Sequence, residues 1–255
     1  MKNPGLIAFC GYPECGKSML QNITEELWGY APRDDARILR DAAKRLYGLS
    51  EDDVSTQDGK KRLIDADAMA PFSEEALRDA AKSLYALDRN AADDDVVIIL
   101  DEEKRVGELI AELSEMIAER HAEKRGPVPV RRVLGELGLL LENRYGEYFV
   151  PDRTLASLDA AHPEGAPPSS FGSVRRGQAV PYKRRGGVVI EIRRPDRPTP
   201  KEIFDEYDRS LVDVVVLNVV DPEDLPGSAE RLRAEAIRIL TPILGEPRKR
   251  DGNGS

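Results

Sequence analysis

Apolar residues recur along the chain in two rhythms. Leu6-Ile-Ala-Phe-Cys10 is an unbroken apolar run stopped by Gly11, the pattern of a strand buried on both faces. Beyond Ser18, Met19, Leu20, Ile23 and Leu27 return at three- and four-residue spacing, which predicts an amphipathic helix over 18–28. A second helix is expected over 34–47, ended by Gly48. Residues 96–100, Val-Val-Ile-Ile-Leu, form a second buried-strand pattern between three Asp and Asp101-Glu102. Long helices are predicted over 106–123 and 128–143, separated by Gly126-Pro127. The stretch 151–173 holds four Pro and two Gly among few apolar residues and reads as a long loop or lid. Strands are predicted over 187–192 and 212–220, a closing helix over 229–240, and a frayed polar tail from Arg248.

Strands alternating with helices predict an α/β fold whose mainly parallel sheet is covered by helices on both faces. The expected organisation is one domain over 1–245 with a mobile lid near 151–173 and a flexible tail over 246–255. The segment 39–49 recurs at 77–87 with nine of eleven positions identical. Two copies cannot build a solenoid, so they read as two helices of similar surface, from shared composition or from duplication.

With 255 residues, a chain buries roughly 70–75% of its unfolded surface and needs no disulfide or metal to hold a core. No uncharged apolar run reaches the roughly 18 residues of a bilayer span, and the first residues lack the basic-then-apolar form of a signal peptide. Only Cys10 and Cys15 carry thiols, wrongly spaced for a zinc site or a CxxC pair. A soluble protein of the cytoplasm, without membrane partners, is the expectation. The net charge of −9 argues against a protein that coats nucleic acid indiscriminately, while leaving room for a local basic site.

One motif carries chemistry. Gly11, Tyr12, Pro13, Glu14, Cys15, Gly16, Lys17 and Ser18 fit G-x-x-x-x-G-K-[ST] between a predicted strand and a predicted helix, the context this phosphate loop requires. Its backbone N–H groups and the positive end of the next helix make an anion cradle. Lys17 would span the β- and γ-phosphates of ATP, and the Ser18 hydroxyl would hold Mg²⁺. Asp101, at the end of the second predicted strand, has the look of an acid that orients the metal, although Asp residues also solvate strand ends. His121 and His162 sit in charged or Pro-rich surroundings and are read as solvent-facing. Basic residues gather at Arg175, Arg176, Lys183, Arg184, Arg185, and again at Arg193, Arg194 and Arg197. Arginines near a phosphate loop neutralise charge on a moving phosphoryl group, and one of Arg131 and Arg132 is expected to face the phosphates.

These residues resemble the bacteriophage deoxynucleoside monophosphate kinase family. The phosphate loop, the 39–49 segment, Asp101-Glu102, Val130-Arg131-Arg132 with Leu137-Gly138, Ser173-Val-Arg175-Arg176 before Gly186-Gly187, and the run 213–218 fall in the family's order. The resemblance implies an ATP-dependent phosphotransferase of the P-loop kinase fold with Arg131, Arg132, Arg175 and Arg176 on the phosphate side. Four positions depart from the family pattern: an acidic residue there corresponds to Arg37, an Asp to Ser173, a Glu to Gln178 and a Gln to Gly135. Three changes remove negative charge and one removes an amide able to hydrogen-bond a base, which suits a bulkier and more anionic acceptor.

The departures point to a related branch, the 5-hydroxymethyluridine DNA kinases, which phosphorylate the 5-hydroxymethyl group of a modified pyrimidine in DNA during thymidine hypermodification. A kinase of free deoxynucleoside monophosphates and a nucleotide-binding switch without catalysis are the alternatives. An alcohol acceptor benefits from a carboxylate that takes its proton. Asp34 and Asp35 are the candidates, of which Asp35 is the preferred one, against an alternative role as N-caps of the following helix. The 151–173 loop could close over an extruded base and the 175–185 cluster could contact DNA phosphates.

Overall fold

In the computed structural model of the protein, the described residues are 4–64, 76–80, 107–108, 110–111, 113–115, 126–197 and 203–248. They cluster into two compact units, one formed by 1–35 with 145–255 and the other by 36–144.

The first unit is built on a five-stranded sheet. Its strands are β1 (Leu6–Cys10), β2 (Ala31–Arg33), β5 (Ser169–Phe171), β6 (Val188–Arg193) and β7 (Val214–Leu217), in the spatial order β2-β5-β1-β6-β7. All four pairings are parallel. The apolar run at β1 forms the central strand because it has a core on either side. Ile7 and Phe9 join Leu20, Ile23 and Leu27 of α1 (Lys17–Trp28) and Leu232, Ala236 and Leu240 of α8 (Leu225–Leu244). Leu6, Ala8 and Cys10 join Leu155 and Leu158 of α6 (Phe149–Ala161) and Ala179 and Tyr182 of α7 (Ala179–Arg184). The expected α/β architecture, a parallel sheet with helices on both faces, is what forms.

The expected loop at 151–173 is instead a helix, a short turn and a strand. Pro151 lies in the first turn of α6, where its missing N–H has no intrahelical acceptor to lose. Val150, Leu155 and Leu158 are buried from that helix. β5 follows as the strand between β1 and β2, and its Ser169, Ser170 and Phe171 are all fully buried. Helix α8 also extends beyond its expected 229–240 at both ends. Its Asp224 N-cap accepts from the Gly227 N–H, and the Trp28 indole N–H donates to the carbonyl of its Gly245 C-cap. The predicted polar tail is anchored at its start, where the Arg248 N–H donates to Leu27 O at 2.6 Å.

In the second unit, α2 (Arg37–Tyr47), α3 (Glu51–Ser55) and α4 (Gln57–Lys61) lead to β3 (Leu63–Ile64), which pairs antiparallel with β4 (Val128–Pro129) ahead of α5 (Val130–Tyr145). A reciprocal Ser50–Asp53 capping box starts α3, and Arg62 bonds both Asp53 oxygens at 2.8 Å. These bonds hold the Asp53 carboxyl down at about 2. The strand predicted over 96–100 and most of the second repeat copy lie outside the described residues; 77–80 of that copy are helical.

Candidate active site

Five parallel strands bring five carboxyl ends to one edge, and after β2 the chain passes into the second unit at residue 36. From β1 the chain runs through α1 to β2 on one side, and from β5 it crosses to β6 on the other. Such a reversal beside the central strand opens the crevice where ligands of open α/β sheets bind.

The phosphate-loop motif occupies that position, between β1 and α1. Its two glycines answer distinct steric demands. Gly11 has φ +137°, and a Cβ there would run into the Ile192 carbonyl and lie 2.9 Å from Cys15 Sγ. Gly16, the N-cap of α1, has φ +105°, and a Cβ would lie 2.5 Å from Asn218 Nδ2. Side-chain donors hold the carbonyls between them. Lys17 Nζ donates to Gly11 O at 2.6 Å and Tyr12 O at 2.9 Å. Arg194 donates to Glu14 O at 3.3 Å, and Asn218 to Cys15 O at 2.8 Å. Glu14 stands at φ +60°, uncommon for a residue other than glycine, and its carboxylate is paired with Arg197 at 2.9 Å. Ser18 lies in the first turn of α1.

Asp35, after β2, is 5% exposed and accepts the Ser173 N–H at 3.0 Å. The N-cap of α2 is Ala36, so Asp35 stands one residue before the cap position. Its carboxylate joins the ends of β2 and β5.

The basic residues divide between opposite edges. Arg175 and Arg176 follow β5 at the carboxyl edge. Arg175 donates to Phe204 O at 2.8 Å and to the buried Asp205 at 3.0 Å. Arg176, at φ +44°, has Glu147 at 3.8 Å. Gln178 accepts the Arg175 N–H through Oε1. Lys183 and Arg185, by contrast, precede β6 and lie at the amino edge, paired with Asp213 at 2.6 Å and Asp159 at 2.8 Å. The 175–185 run is therefore no continuous patch, and only its first two arginines share an edge with the phosphate loop. Arg131 and Arg132 belong to the second unit, in the first turn of α5, where Arg132 bonds Glu136 at 3.0 Å. Asp101 and His121 lie outside the described residues. His162 is the C-cap of α6.

Sequence patterning overlooked a further group at this edge. Glu191 interrupts the apolar run of β6, is 1% exposed, and pairs in register with Cys10 at the end of β1. It accepts Tyr207 OH at 2.7 Å and two bonds from Arg193 at 2.8 and 2.9 Å. Burial alone would raise its carboxyl, but the bonds from Arg193 and Tyr207 outweigh that and hold it below the usual range. Burial, aided by Glu191, pushes the Tyr207 hydroxyl up. The signal was a charged residue amid Val-Val-Ile and Ile, since such a residue is rarely buried without a partner.

Among the described residues, no group of three or more His, Cys, Asp or Glu could hold a metal, and no helix is long and apolar enough to cross a membrane. A Mg²⁺ carried by nucleotide phosphates needs no such cage, because it keeps waters and takes one or two protein ligands. The chain matches no family model and no curated protein.

Proposed function

We propose that the protein is an ATP- and Mg²⁺-dependent kinase of the P-loop kinase fold that transfers the γ-phosphoryl group to the 5-hydroxymethyl group of 5-hydroxymethyldeoxyuridine in DNA. The observation that carries the kinase reading is the strand–loop–helix at 6–28, with both motif glycines in conformations and spaces that exclude a Cβ. Lys17 would stabilise charge on the β- and γ-phosphates, the α1 N-terminus would face them, and Ser18 would ligate Mg²⁺. Arg194 and Arg197 flank the loop through Glu14, Arg194 being paired also with Asp196.

The alcohol acceptor draws support from Asp35, a buried carboxylate at the same sheet edge as Lys17, one residue before the N-cap of α2. In the transfer, Asp35 takes the hydroxymethyl proton, the freed oxygen bonds to the γ-phosphorus, and the bond from that phosphorus to the β–γ bridging oxygen breaks to release ADP. A free deoxynucleoside monophosphate is already an oxyanion and has no need of this base.

Labelled ATP, offered with a 5-hydroxymethyluracil-containing duplex or with free deoxynucleoside monophosphates, tests the reading. Label on the DNA is expected. Label confined to the monophosphates would make the protein a monophosphate kinase, and nucleotide binding without transfer to either would leave a switch. Lys17→Ala should abolish transfer in either kinase case, and full activity in that variant would remove the phosphate-loop assignment.

A further inference from the structure

Beside the phosphate loop, the segment between β6 and β7 brings Tyr207 and Arg209 against Tyr12, whose ring the phosphate cradle does not use. The rings of Tyr12 and Tyr207 stand 5.3 Å apart with planes tilted by 58°. The Arg209 guanidinium lies over both, 5.9 Å from the Tyr12 centroid and 5.8 Å from that of Tyr207. Both rings are half-buried and Arg209 is exposed, so the group reaches solvent at the second residue of the loop.

The support beneath it is rigid. Tyr207 is tied through its hydroxyl to the buried Glu191, which also lies 4.0 Å from Arg209. Its backbone pairs with Arg176 in a parallel bridge. The Arg176 N–H donates to Glu206 O at 2.7 Å, and Arg176 O accepts the Asp208 N–H at 2.9 Å. Arg175 fastens the same segment through Phe204 and Asp205. Holding a half-exposed ring from both its hydroxyl and its backbone removes the ordering cost that a flexible aromatic would meet on binding.

We propose that Tyr12, Tyr207 and Arg209 form a stacking platform for a nucleobase. Aromatic faces and a guanidinium plane accept any base through its π-surface, and this one adjoins the loop that would hold the phosphates. The inference rests on the kinase reading and deepens it. Arg175 and Arg176 act in it as positioning residues that set Tyr207. The base comes from one of two sources, the adenine of the donor or the pyrimidine of the acceptor.

Titration calorimetry distinguishes them, using ATP, tripolyphosphate, a single strand containing 5-hydroxymethyluracil, and the same strand with an abasic site at that position. Arg209→Ala and Tyr207→Leu should weaken ATP or the intact strand by about tenfold or more. Tripolyphosphate and the abasic strand should bind as to the wild type, and Tyr207→Phe, which keeps the ring but loses its bond to Glu191, should weaken base-bearing ligands less than Tyr207→Leu. A loss on ATP identifies adenine; a loss on the intact strand identifies the acceptor base. Equal losses with base-bearing and base-free ligands, or none, overturn the platform. Wild-type protein that binds neither ATP nor tripolyphosphate would instead sink the kinase reading, and the strand pair would still decide the platform. Binding of none of the four overturns both.

Discussion

Single side chains set the shape of the loop between β1 and α1, and two can be tested apart from activity. Asn218 follows β7 and reaches back to the buried Cys15 carbonyl. Asn218→Ala leaves that acceptor unsatisfied, which should cost about 1–3 kcal/mol, read as a lower urea midpoint, and should weaken ATP binding. Unchanged values for both would mean that the loop holds its shape without this bond. Cys10 makes the opposite point. Burial, with a smaller push from Glu191, raises its thiol to about 12, so it stays protonated and enclosed at neutral pH. Iodoacetamide at pH 8 should leave Cys10 unmodified in the folded protein and alkylate it in urea, as peptide masses would show. The loop from Gly11 to Ser18 was legible because its motif is contiguous between an apolar run and a helical pattern, although the groups that crowd its glycines, Ile192 and Asn218, are distant in sequence. Glu191, Tyr207 and Asn218 were harder to find, because their roles arise from strands far apart in sequence.

Among the elements, β1, α1 and β6 could be read from apolar periodicity alone, since each has a face or two to bury. Strand β5 could not. Ser169 and Ser170 carry no apolar signature, and their burial follows from the neighbours β1 and β2 on either side. Prolines misdirected the reading of α6, because a helix accepts Pro in its first turn while a sequence window counts it as a breaker. Leu155→Ala tests the corrected assignment. A fully buried helical Leu should cost about 2–5 kcal/mol on truncation, whereas a residue in a solvated loop would cost almost nothing in denaturant unfolding.

For the whole molecule, the net charge of −9 coexists with a few arginines, Arg176, Arg194 and Arg197, that follow β5 and β6 at the carboxyl edge of the sheet. Contact with nucleic acid should therefore be local. For three phosphates neutralised by Arg176, Arg194 and Arg197, the slope of log affinity against log salt on single-stranded DNA should be about −2. A slope steeper than about −5 would mean an extended contact surface instead. Acid acts on the same edge through Glu191. Its lowered carboxyl favours the folded state when ionised, so this contribution is complete above the ordinary glutamate value of about 4.3. It is lost as pH falls through the lowered value. Glu191→Gln should flatten the acid limb of a stability–pH curve measured by urea unfolding; an unchanged limb would remove Glu191 as its source.

The C-terminal anchor bears on how the protein is handled. Gly245 accepts the Trp28 indole proton, and the Arg248 N–H bonds Leu27, both at the end of the helix whose first turn holds Lys17 and Ser18. Gly29, at φ +76°, lies against the Arg248 guanidinium. An affinity tag or a truncation that disturbs residues 245–248 therefore pulls on the far end of α1. On the proposed kinase reading, purified material altered there loses ATP affinity with every residue of the phosphate loop intact.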